Sequence, residues 1–90
     1  MEKTYYLNIF YKGEKEDMHD CLYFKDRKNV IAKFNEEKQS WIKGHLDKCP
    51  FEESEEFDST DESGSFYSDM SEVVNDILDL NFGVLKYEDE

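Results

Sequence analysis

The chain has 90 residues, 38% of them hydrophobic and 16% aromatic, and a formal net charge of −12. That is too apolar for a wholly disordered polymer and too short for more than one small domain with a thin core. No run approaches the roughly 20 apolar residues of a membrane-spanning helix.

The expected organisation is a single domain over residues 1–90. The opening MEKTYY lacks the basic and apolar regions of a secretory signal. Two cysteines make no disulfide framework. The expected setting is therefore cytoplasmic, with reduced thiols.

Residues 4–11, TYYLNIFY, are aromatic and β-branched and predict a strand. Tyr5, Leu7, Ile9 and Tyr11 fall on one face, with Tyr6, Asn8 and Phe10 on the other. The polar break around Gly13 suits a hairpin loop, and residues 18–25, MHDCLYFK, read as the returning strand. Asp26 is placed to cap a helix over residues 27–45. Val30, Ile31, Phe34, Trp41, Ile42 and His45 recur on one side of that helix at spacings of three, four and seven. Lys38 interrupts the stripe, with a stem able to lie along its apolar edge.

Residues 51–65 are acidic and Ser-rich, without a clear period, and read as a loop. Asp69-Met70-Ser71-Glu72 matches a capping box. Met70, Val73, Val74, Ile77 and Leu78 then follow at helical spacing, with Gly83 as the stop and a short last strand over residues 84–87. The expected fold class is α+β: a β-hairpin followed by two helices, an acidic loop between the helices, and a short C-terminal strand.

Little points to catalysis. There is no nucleophile elbow, phosphate-binding Gly loop or HExxH, so the expectation is a non-enzyme. His19-x-Cys21 and His45-x3-Cys49 are the only His/Cys pairs, and neither has the C-x2–4-C or H-x3–5-H spacing of structural zinc. The simpler reading is an interior thiol at Cys21, an exposed His19 and a frayed helix end at Cys49, with no metal or cofactor. Ser59, with Glu62 three residues on, is a short acid-directed phosphorylation pattern that any acidic stretch offers.

The stronger signal is where the charge lies. Residues 1–49 carry ten Lys/Arg and nine Asp/Glu, a near-neutral +1. Residues 50–90 carry one Lys and fourteen Asp/Glu, a net −13, and no basic residue occurs from 49 through 85. Such a field repels nucleic acid and anionic lipid, so direct binding to either is not expected. It suits a basic partner surface. The acids are threaded with Phe57, Phe66 and Tyr67, which predicts that these aromatics pin the segment to the domain and hold its charges in place. Ordering a free tail on binding would cost roughly 1–2 kcal/mol per residue.

In size, in the −13 half, in EESEEFDSTDE and in the acidic amphipathic SDMSEVVNDILDL, the chain resembles the small acidic DNA-mimic proteins of bacteriophages, the anti-restriction and anti-CRISPR inhibitors. The likeness is one of class, with no motif carried over. It implies an inhibitor that occupies the DNA-binding groove of a DNA-binding protein or host defence nuclease, acting in the host cytoplasm. Many such mimics are dimers, so a homodimer is among the expectations; the near-neutral front half departs from mimics that are acidic throughout, and suggests a one-sided mimic or a half used for folding or dimerisation. The expected partner-binding residues are Glu52, Glu53, Glu55, Glu56, Asp58, Asp61 and Glu62 in the loop and Asp69, Glu72, Asp76 and Asp79 along the helix. The alternative is a transactivation-like segment, FYSDMSEVVNDILDLNF, in which Ile77, Leu78, Leu80 and Phe82 dock a partner groove as a helix.

Overall fold

Residues 4–25 form the expected hairpin. Strand β1 (Thr4–Lys12) pairs antiparallel with β2 (Asp17–Phe24). The Gly13 N–H donates to the Glu16 carbonyl at 2.9 Å and closes the turn between them. The period of two sorts β1 cleanly. Tyr5, Leu7 and Ile9 are buried on one face, while Tyr6, Asn8 and Phe10 lie on the other and are more exposed.

Helix α1 (Arg27–Gly44) covers the buried face. Asp26 caps it, accepting from the Lys28 N–H at 2.8 Å. Val30, Phe34 and Trp41 are the residues it buries. Lys38 is half-buried among them, its ammonium about 6 Å from the ring centroids of Phe34 and Phe66. Its stem continues the apolar stripe, as the spacing predicts.

The computed structural model describes residues 3–13, 15–60, 62–70 and 76–85. It is mostly a five-stranded antiparallel sheet in the order β2-β1-β5-β4-β3, with α1 as its single helix among the described residues. The remaining strands are β3 (Glu52–Phe57), β4 (Gly64–Asp69) and β5 (Ile77–Leu85).

The predicted pattern of a β-hairpin followed by two helices is therefore wrong in its second half. The expected second helix is β5, the central strand, paired with both β1 and β4. Leu78, Leu80 and Phe82 are buried at spacings of two, and Asp79 and Asn81 face the other way. The same apolar run satisfies a helical and a strand period, and short apolar runs are ambiguous in this way. Two neighbouring strands with unmet backbone groups decide in favour of the strand. Gly83, read as a helix stop, lies inside β5 opposite Tyr6, whose hydroxyl would come within 2.9 Å of an added Cβ. The expected capping box and the valines at 73 and 74 fall largely in residues 71–75, outside the described residues. Of the predicted last strand, Val84 and Leu85 end β5, and the rest lies outside the described residues.

The acidic loop is also corrected: most of it is the β3–β4 hairpin. Asp58 accepts from the Thr60 N–H and hydroxyl, and its own N–H donates to the Ser63 carbonyl at 2.9 Å, which builds the turn. Four glutamates in six residues defeat ordinary strand propensity. They are tolerated because β3 is an edge strand, where charge blocks further pairing. Phe57 lies opposite Gly64, its ring filling the space where a side chain would be. An added Cβ at Gly64 would come within 2.5 Å of that ring.

Candidate functional site

Strand alternation distributes the predicted acidic residues over two faces and one turn. Phe57 and Phe66 point toward the helix side: Phe66 is buried, and the Phe57 ring sits 5.7 Å from Phe34. Glu53 and Glu55 share that side, and Glu55 pairs with the Lys38 ammonium. Tyr67 takes the opposite, open face of the sheet, so it is not a pin for the acidic segment.

Around Tyr67 the register assembles carboxylates from three strands. Asp79 of β5 lies directly opposite it, Asp69 is two residues on along β4, and Glu52 of β3 lies opposite Asp69. Glu56 is on the same face, opposite Ser65. The Tyr67 phenol is pushed above its usual range, first by burial, then by the negative fields of Asp69, Glu52 and Asp79. The Asp79 carboxyl is likewise pushed up by burial. A half-buried aromatic ring among carboxylates, on the open face of a sheet, favours cationic side chains through both charge and ring stacking.

The other predicted acids have local duties. Glu62 pairs with Lys3 at 3.0 Å. Asp58 holds the turn, and the Thr60 hydroxyl keeps its carboxyl below the usual range. Asp76 is half-buried on the helix side. It accepts from His45 Nε2 at 2.9 Å and from the Tyr11 hydroxyl at 3.1 Å, tying the end of α1 to the start of β5. His45 Nδ1 also lies 2.8 Å from the Trp41 carbonyl oxygen, and its ring lies over that of Trp41 with centroids 4.0 Å apart. Asp61 and Glu72 lie outside the described residues. The structure thus brings together Glu52, Glu56, Asp69 and Asp79, and does not bring Glu53, Glu55, Asp58, Glu62 or Asp76 to the same face. Tyr67 was missed as a member of the face. Its alternation with Phe66 and Ser68, both buried, was the available signal.

The two histidines fall on opposite sides of the sheet. His19 and Cys21 share the open face of β2, while His45 lies against the helix side. Among the described residues no group of three or more His, Cys, Asp or Glu is placed to hold a metal ion. Cys21, expected as an interior thiol, is exposed. β2 is an edge strand, and Cys21 lies on the face without the helix. Among the described residues no helix is long and apolar enough to cross a membrane. The chain matches no protein-family model, no curated protein and no solved structure.

Proposed function

We propose that this chain is a non-enzymatic DNA mimic, which inhibits a DNA-binding protein or defence nuclease by placing its β3–β4 hairpin in the basic groove that DNA would fill. The supporting observation is linear charge density. Glu52, Glu53, Glu55, Glu56 and Asp58 follow one another along β3 and into its turn. Six residue steps of extended chain span about 20 Å. Over that axial length one strand of B-form DNA, at about 3.4 Å per phosphate, carries about six charges. The edge carries five, of which Lys38 offsets one. Asp69 and Asp79 extend the charge across the open face. The hydrogen-bond ladder to β4 fixes these positions in advance, so binding does not have to order them.

The groove-docking helix has no observation in its favour. Leu78, Leu80 and Phe82 are buried in this chain's own core.

The test is competition with DNA for a basic partner captured from the host, using two variants that lose the same formal charge. One carries Glu52→Gln, Glu53→Gln, Glu56→Gln and Asp69→Asn. The other carries Glu16→Gln, Glu36→Gln, Glu37→Gln and Asp47→Asn. The first is expected to lose competition and the salt sensitivity that accompanies it, while the second retains both. Equal competition by the two variants overturns the proposal, because net charge alone would then explain binding.

A further inference from the structure

The two edges of the sheet are defended very differently. β3 carries four glutamates along six residues. β2 is longer, at eight residues, has no Pro, and carries acids only at Asp17 and Asp20 in its first half. Its side chains include Met18 at 44% exposure and Tyr23 at 61%. Natural sheets blunt a free edge with charge, proline, bulges or a covering element. β2 pairs with β1 in unbroken register from Asp17 to Phe24, so no bulge turns it aside.

The backbone parity of β2 follows from the turn. Gly13 and Glu16 form a hydrogen-bonded pair, and in an antiparallel ladder such pairs alternate with non-bonded ones. The even-numbered residues of β2 therefore bond to β1. The N–H and C=O groups of its odd-numbered residues, His19 and Cys21 in the middle, point outward from the sheet.

We infer that β2 pairs antiparallel with β2 of a second copy, giving a two-fold dimer with one continuous ten-stranded sheet and Cys21 on the axis. Outward groups meet only when odd residues oppose odd residues. Centring on Cys21 places His19 opposite Tyr23 on the open face, Met18 opposite Phe24 on the helix side, and Asp20 opposite Leu22. The overlap is seven residues. The register one step away places the two Asp20 carboxylates directly opposite each other, where like charges repel. Electrostatics over the whole molecule agree. The half of the chain at this contact is near neutral, and the two β3 edges end nine strand spacings apart, about 43 Å. Self-association through β3 would instead bring eight glutamates together.

The experiment is sedimentation of the intact chain, which needs no other protein and is therefore independent of the DNA-mimic proposal. The expected mass is twice the 10.8 kDa of one chain. Cys21→Pro removes an outward N–H and leaves the bonds to β1, since proline is tolerated on an edge strand with that side free. It is expected to reduce the mass to one chain while far-ultraviolet circular dichroism stays unchanged. Cys21→Lys is expected to do the same without altering the backbone. A third measurement uses Cys49→Ser protein and diamide. The axial Cα atoms of a hydrogen-bonded pair lie about 5.5 Å apart, within the roughly 4.4–6.8 Å window of a disulfide. The two Cys21 thiols then form one S–S bond, passing two protons and two electrons to diamide. A covalent dimer is expected with Cys49→Ser and not with Cys21→Ser. Single-chain mass for the unaltered protein overturns the inference. So does a dimer that survives both Cys21→Pro and Cys21→Lys.

Discussion

The β1–β2 and β3–β4 hairpins flank β5 on either side, in the same sheet and with the same antiparallel pairing, yet they are stabilised by different means. The first lies under α1 and supplies Tyr5, Leu7 and Ile9 to the core. The second is reached by the helix at its edge, through Phe34 against Phe57 and Lys38 against Glu55 and the Phe66 ring. The first carries little net charge, and the second carries most of the field. The difference shows how a small domain can display dense charge: repelling groups sit on strands that a neutral, well-packed half holds in register.

Phe34 is where that division is most easily broken. It is fully buried, with its ring 5.3 Å from Phe82 and 5.7 Å from Phe57, so it joins the helix to both the central strand and the acidic hairpin. Phe34→Ala is expected to cost about 3–5 kcal/mol, read from the denaturant midpoint. A cost below about 1 kcal/mol would mean that the acidic hairpin does not depend on the helix.

A smaller effect sharpens the comparison at two glycines. At Gly64 an added Cβ meets Phe57 at 2.5 Å and Phe82 at 2.8 Å, whereas at Gly44 it meets nothing within 4 Å. Gly64→Ala is expected to destabilise by about 1–3 kcal/mol through overpacking. Gly44→Ala is expected to stabilise by about 0.4–1 kcal/mol by restricting the unfolded chain. Thermal melts of the two variants should move in opposite directions, and equal shifts would contradict the close packing described at Gly64.

The smallest effect concerns Asp79, the acid nearest the middle of the sheet. Burial raises its carboxyl above the usual value near 3.8, so the folded protein holds that proton to higher pH than the unfolded chain. Its ionisation therefore opposes folding, and this contribution grows as pH rises from about the unfolded value through the folded one. Asp79→Asn is expected to stabilise the protein at neutral pH by less than about 1 kcal/mol, as befits a partly exposed charge. The gain should vanish below the unfolded value. A loss of stability at neutral pH would show that the ionised carboxylate makes a favourable contact on the open face.

The sequence made β1 and α1 legible because each has one unambiguous period. Tyr5, Leu7 and Ile9 alternate, and Val30, Phe34 and Trp41 recur at helical spacing. The acidic half was not legible for two reasons. Ile77, Leu78 and Leu80 fit either period, and the deciding fact, β1 and β4 waiting on both sides, is tertiary. Glu52 through Glu56 contradict strand propensity unless the strand is already known to be an edge. The site inherited that error. Which residues were acidic was plain, but whether Glu52 or Glu53 faced outward depended on a period of two that had not been assigned.

The separation of the two edges has a kinetic consequence. From β2 to β3 is four strand spacings, about 19 Å, more than twice the screening length of about 8 Å at physiological ionic strength. An approaching basic protein therefore responds to one end of the molecule at a time. At the β3 end it meets a field set by the glutamates of β3 with Asp58 and Asp69, offset by Lys38 at Glu55. Added salt should slow encounter at that end far more than it hastens departure, because steering acts over distance and release is governed by contacts already made.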